Sequence, residues 1–189
     1  MIVAFQKGGA AVKRGAVAVS EAAGCAAICA AAVYLHTAYP LYGGALGILF
    51  GAVNDSVWEH AKIFSAAYVG WSLLQLSWLR LPFRRYAVAK CLGLYLLMGL
   101  VIGISCIFPE THMRLSVAAV IAVQGLTTFL ETADNRLGDC FAPAVMLLLL
   151  YYLMFFSFTI FPPRAGLFRD PREGGYGVLE ALRRYDIGL

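Results

Sequence analysis

The residues equipped for chemistry in this chain of 189 residues gather in one stretch, Asn54-Asp55-Ser56-Val57-Trp58-Glu59-His60-Ala61-Lys62. Asn54, Asp55, Glu59, His60 and Lys62 ionise or carry a side-chain amide, inside a sequence that is otherwise very apolar. The chain has 3 histidines, His36, His60 and His112. Neutral imidazoles together with carboxylates are a usual ligand set for zinc, iron or manganese. They make a divalent transition metal the cofactor to look for, with His36, His60 and His112 as its candidate ligands. Neither H-E-x-x-H nor H-x-x-x-H occurs, so such a site has to be assembled from separate segments. Glu59 and His60 are adjacent and project about 100° apart on a helix, so one ion does not readily take both.

A purely structural reading of the same stretch is also available. Ser56-Val57-Trp58-Glu59 fits the S-x-x-E capping box, in which the serine oxygen accepts from the Glu59 N–H and the Glu59 carboxylate returns to the Ser56 N–H. Asn54-Asp55 is then the turn before the helix, Trp58 an interfacial anchor and Lys62 a snorkelling cation. His60 is left unexplained by that reading.

The composition says what must position these residues. Hydrophobic residues make up 61% and charged residues 14%, with a mean hydropathy of +0.74, against roughly 25% charged in a soluble domain. This is the balance of a multi-pass membrane protein whose main partner is the lipid bilayer. A net charge of +4 without a long basic run gives no reason to expect nucleic acid. The 5 cysteines, Cys25, Cys29, Cys91, Cys106 and Cys140, read as small apolar residues. No cleavable signal peptide is evident.

A membrane-crossing helix needs about 20 mostly apolar residues. On that measure spans are expected over 15–35, 56–79, 87–108, 115–131 and 141–161, giving an all-α polytopic bundle of five crossings over 1–161 with an extramembrane tail, 162–189, packed on it. His36 closes the first span and Tyr39-Pro40 break it. The segment 41–53, with glycines at 43, 47 and 51, is too short to cross and reads as a half-helix or re-entrant element whose glycines admit a close neighbour. Gly99 and Gly103 repeat that spacing in the third span. The cluster Arg80, Arg84, Arg85 and Lys90 places the N-terminus on the cytoplasmic side and the C-terminus opposite. All three histidines, with Glu59 and Glu110, then fall at the outer surface.

Gln124, Thr128, Glu131 and Asn135 recur on one face of the fourth span. An interhelical hydrogen-bond seam explains Gln124 and Thr128 better than a substrate path does, and Glu131 is expected to reach the interface.

The stretch Asn54–Lys62 resembles the N-E-S-V-W-E-H-L-K signature of an uncharacterised family of small bacterial multi-pass membrane proteins. Leu35-His36 resembles the end of that family's first span. Phe161-Pro162-Pro163, Leu167-Phe168-Arg169-Asp170-Pro171 and Tyr176-Gly177 resemble its C-terminal motif. Asp55 stands for Glu and Ala61 for Leu. The resemblance supports the architecture, singles out His36, Asn54, Ser56, Trp58, Glu59, His60 and Asp170, and brings no reaction with it. Three functions compete: a metal or small-molecule pocket at the outer surface built from His36, Asn54, Asp55, Ser56, Glu59, His60, His112 and Asp170; an accessory subunit docked on other membrane subunits; and a small-solute or proton transporter. His36 and His60 are expected to share one polar pocket with the tail around Phe168 to Pro171 as its lid.

Overall fold

The computed structural model describes residues 2–133, 136–172 and 174–177, with side chains from Arg14 onward. Asn135 lies outside the described residues. Six α-helices follow one another: α1 (Ile2–Tyr42), α2 (Gly44–Phe50), α3 (Val57–Gln75), α4 (Phe83–Ile107), α5 (His112–Thr132) and α6 (Phe141–Ile160). Single 3₁₀ turns cover Leu137–Cys140 and Gly166–Phe168. The expected all-α class holds: among the described residues there is no strand, only an isolated bridge between Arg169 and Tyr176.

Four helical stretches are long and apolar enough to cross a membrane: Arg14–Tyr42, Phe83–Ile107, His112–Thr132 and Leu137–Ile160. They answer to four of the five expected spans. The stretch expected to be the second span forms α3, and Glu59, His60, Lys62 and Gln75 dilute its apolar character. It is nevertheless the centre of the bundle. Twelve of its 19 residues are buried, against four of 20 in α6. The difference has a simple cause. Polar groups are tolerated where neighbouring protein satisfies them, and α6, uniformly apolar, needs no such cover.

The core runs along α3, from Trp58, Ala61 and Phe64 to Tyr68. Ile28 and Ala32 of α1, Leu94 and Leu97 of α4, Val120 and Val123 of α5, and Tyr151 and Phe155 of α6 close on it. Two glycines allow the closest approaches. A Cβ on Gly24 would collide with Gln124 and Trp71, and one on Gly93 with Tyr68 and Thr127. The Gly99 and Gly103 pair, which has the spacing of a packing motif, faces open space instead.

The chain does not break at Tyr39-Pro40. Helix α1 carries Pro40 in its last turn and continues to Tyr42. Reversal comes at Gly43 and Gly44, with φ of 60° and 69°, a left-handed backbone that glycine adopts without a Cβ penalty. Helix α2 then folds back on the end of α1. An added Cβ on Gly51 would lie 3.1 Å from Leu35 O and Tyr39 N, and Ala52 N donates to Leu35 O at 3.1 Å. The short half-helix expected over 41–53 is therefore present, packed through Gly47 and Gly51.

Candidate functional site

The alternation of helix directions brings the end of α1 and the starts of α3 and α5 to one end of the bundle, so the three histidines converge. The His36 and His60 rings are 5.4 Å apart between centroids, and those of His60 and His112 are 4.6 Å apart. Asp55 joins them, with Oδ1 3.6 Å from His36 Nε2. His36, Asp55 and His60 each offer a ligand atom within 4.8 Å of the others.

The hydrogen bonds determine which nitrogens are free. His60 Nδ1 lies 3.0 Å from Ser56 O, and His112 Nδ1 lies 2.6 Å from Pro109 O. A carbonyl only accepts, so both Nδ1 atoms carry the hydrogen. Both Nε2 atoms then present lone pairs, and these face each other at 3.4 Å. Two acceptors cannot bond to each other. Either a proton or a cation between them makes the arrangement favourable. In a tetrahedral zinc site with Zn–N of about 2.0–2.1 Å, neighbouring nitrogens are about 3.4 Å apart, which matches the observed gap. Ser56 O and Pro109 O are the backbone partners that orient metal-bound imidazoles elsewhere.

Asp55 is divided between two partners. Oδ1 faces His36, while Oδ2 accepts from Arg172 Nε at 2.8 Å. Arg172 comes from the tail, so the tail reaches this end of the bundle. Phe168 packs against Trp58 at 5.4 Å and against Phe158 at 5.2 Å. Trp58 is buried between them rather than placed as an interfacial anchor. Asp170, placed with the pocket on the resemblance, shapes the tail turn: Oδ1 accepts from Arg172 N at 2.8 Å, and its backbone pairs with Gly174 and Gly175.

Half of the expected capping box forms. Ser56 Oγ accepts from Glu59 N at 3.3 Å, but Ser56 N donates to Asn54 Oδ1 at 3.0 Å instead of to Glu59. Asn54 is thus a turn-former beside the histidines. Glu59 is occupied elsewhere: Oε2 accepts from Val53 N at 2.8 Å and pairs with Lys62 Nζ at 2.6 Å. Lys62 Nζ also donates to Ile48 O at 3.1 Å, a carbonyl near the end of α2. Lys62 is fully buried and does not snorkel. The Glu59–Lys62 pair ties the end of α2 and the segment after it, 48–53, to α3, and this holds Asp55 in front of His36 and His60.

At the opposite end lies a second polar cluster that sequence reading largely missed. Lys90 Nζ is 2.5 Å from Glu21 Oε1 and 3.4 Å from Glu131 Oε1. Gln75 Nε2 donates to Ser20 Oγ at 2.9 Å and Glu21 Oε1 at 3.0 Å, and Tyr86 Oη donates to Ser72 O at 2.5 Å. Glu131, expected at the interface, is fully buried, and Lys90, expected as a topology charge, is buried beside it. The seam reading holds better for Gln124, whose Nε2 donates to Glu21 O at 3.4 Å. Thr128 turns back to its own helix at Gln124 O, and Thr127 is the threonine that is buried. A signal was present: Tyr86, Lys90, Gly93, Leu97 and Val101 share a helix face, and that face is the buried one.

Searches with this chain found no matching family model, no matching curated protein and no matching solved structure.

Proposed function

We propose that this chain is an integral membrane protein that binds a divalent transition metal at the outer end of its bundle, through His36, Asp55, His60 and His112. The observation that carries the proposal is the pair of Nε2 lone pairs facing each other at 3.4 Å, each with its Nδ1 hydrogen committed to a backbone carbonyl. Three imidazoles and one carboxylate suit zinc best, with iron or manganese as harder alternatives. Asp55 is the ligand able to give way to water, because Arg172 already holds its second oxygen. A metal with one open position acidifies a bound water, the basis of hydrolysis or group transfer. The tail and the Trp58–Phe168 contact cover the site.

In this proposal α3 is a fifth crossing. Its 19 residues span about 28 Å at 1.5 Å per residue, close to the hydrocarbon thickness of about 30 Å. The N-terminus, the connection carrying Arg80 and the start of α4 with Arg84 and Arg85 face the cytoplasm, and the histidines face the other side. The resemblance of Asn54–Lys62 to the uncharacterised family fits the same reading. A Glu in place of Asp55 keeps a carboxylate ligand, and Glu59 with Lys62 keeps the clamp.

The test is metal content of the full chain purified in detergent, with cobalt substitution to read the coordination geometry. The wild type is expected to retain stoichiometric metal and to give a tetrahedral cobalt spectrum. His60→Ala and His112→Ala are expected to lose both. Because ligating imidazoles must be neutral, affinity should fall on acidification. Wild-type protein that stays metal-free, with a cobalt spectrum indifferent to the histidine variants, would mean that a proton bridges the two imidazoles and that the metal assignment is wrong.

A further inference from the structure

The cluster at the other end of the bundle has more negative charge than its one cation balances. Two carboxyl groups, Glu21 and Glu131, face the single ammonium of Lys90, and the three side chains are 2%, 0% and 7% exposed. With every group ionised, the site would hold an uncompensated negative charge away from water, which is strongly unfavourable. The hydrogen-bond inventory points the same way. Lys90 Nζ reaches Glu21 Oε1, and Gln75 Nε2 donates to the same atom. Glu21 Oε2 and both oxygens of Glu131 receive no hydrogen bond, and Gln124 Oε1, whose own amide nitrogen bonds the Glu21 carbonyl, receives none either. Three buried acceptors in one neighbourhood therefore have no donor, and Glu131 Oε1 has only the ion-pair contact with Lys90 at 3.4 Å.

We propose that Glu21 and Glu131 form a proton-binding site, a carboxyl–carboxylate pair that shares one exchangeable proton beside Lys90. A proton on Glu131 supplies a missing donor, and the Glu21 carboxylate shares the same ammonium, Lys90 Nζ, with it. Taking up that proton makes the O–H bond and changes the net charge of the triad from one negative to neutral. No other bond is made or broken. The titratable and charged groups facing the pair are Cys25 from α1, Tyr68 from α3, and Tyr86 and Lys90 from α4. Arg85 is directed to Ala133 O at 3.1 Å, one helical turn beyond. An apolar cleft bounded by Ser72, Tyr86, Leu148 and Tyr152 adjoins Lys90 on one side of the site.

Infrared spectroscopy of the full chain in bilayers tests this. At neutral pH the wild type should show the carbonyl-stretch band of a protonated carboxylic acid. The band should shift in deuterium oxide, move with ¹³C-glutamate labelling and disappear on alkalinisation. Glu131→Gln should abolish it, and Glu59→Gln should leave it in place. If Glu131→Gln does not fold, Glu21→Gln and the isotope shift in the wild type carry the assignment. A wild type without the band at neutral pH overturns the proposal and leaves a fully ionised triad or a bound metal cation. A band that survives both Glu21→Gln and Glu131→Gln also overturns it.

Discussion

The two ends of α3 carry polar clusters built on opposite principles. At the histidine end the charged pair Glu59–Lys62 is complete. The Glu59 Oε2 atom has Val53 N and Lys62 Nζ, and Lys62 has Ile48 O besides. What is left over there is a pair of imidazole Nε2 atoms 3.4 Å apart. At the opposite end the charges themselves are unbalanced, two carboxyl groups to one lysine, and the hydrogen-bond deficit falls on carboxylate oxygens. Imidazole nitrogens brought this close suit a transition-metal cation. An unbalanced buried carboxyl pair suits a proton. Two clusters in one bundle thus differ in the ligand they are suited to, because one resolves its charge internally and the other does not.

The comparison breaks first at Lys90. Lys90→Met leaves Glu21 and Glu131 facing each other without a cation, and the expected loss of stability is about 3–5 kcal/mol. Thermal unfolding in detergent measures it. A melting temperature equal to that of the wild type would mean that Lys90 balances nothing. Lys62→Met should destabilise somewhat less, about 3 kcal/mol, because Val53 N still donates to Glu59. Proteolysis should then become easier within 43–53, the segment the clamp holds, and Glu59→Gln added to Lys62→Met should recover part of the loss.

A middle-sized effect tests the packing that keeps the two ends apart. Gly93→Ala drives a methyl group against Tyr68 and Thr127 and should cost about 1–3 kcal/mol. Gly99→Ala, with open space beside it, should instead be neutral or stabilising by about 0.5 kcal/mol. Chemical denaturation of the two variants side by side decides it, and equal losses would mean that α4 packs on a different face. The smallest effect belongs to Arg172. Its side chain is 81% exposed, so Arg172→Ala should change stability by only about 0–1 kcal/mol. It should still alter metal affinity measured by chelator competition, since Asp55 loses the partner on its second oxygen.

Much of the candidate site could be read from sequence because its parts are local. Asn54, Ser56 and Glu59 sit within a few residues of the contacts they make, and a capping motif is a statement about neighbours. Even there the reading erred by one partner. The Glu59 carboxylate had a choice between Ser56 N and the clamp to Val53 and Lys62, and only the return of α2 brought Val53 N close enough to compete. The meeting of the Glu21–Lys90–Glu131 triad was not legible, although the helix face carrying Lys90 was. Glu21, Lys90 and Glu131 are separated by tens of residues, and nothing near any of them announces the other two.

What the amino-acid sequence determined by itself was the all-helical class and the approximate place of each long helix. Long apolar stretches made the helices, Gly43 and Gly44 permitted the reversal before α2, and the alternation of helix directions put the three histidines at one end. What only the tertiary structure decided was which polar groups meet. That outcome depends on how helices far apart in sequence rotate about their axes to bury one face each. The rotation is set by the summed packing of Gly24, Gly93, Tyr68 and their neighbours. Burial then turned Lys90 and Glu131 from expected surface charges into an internal pair, because a buried charge is stable only beside a group that answers it.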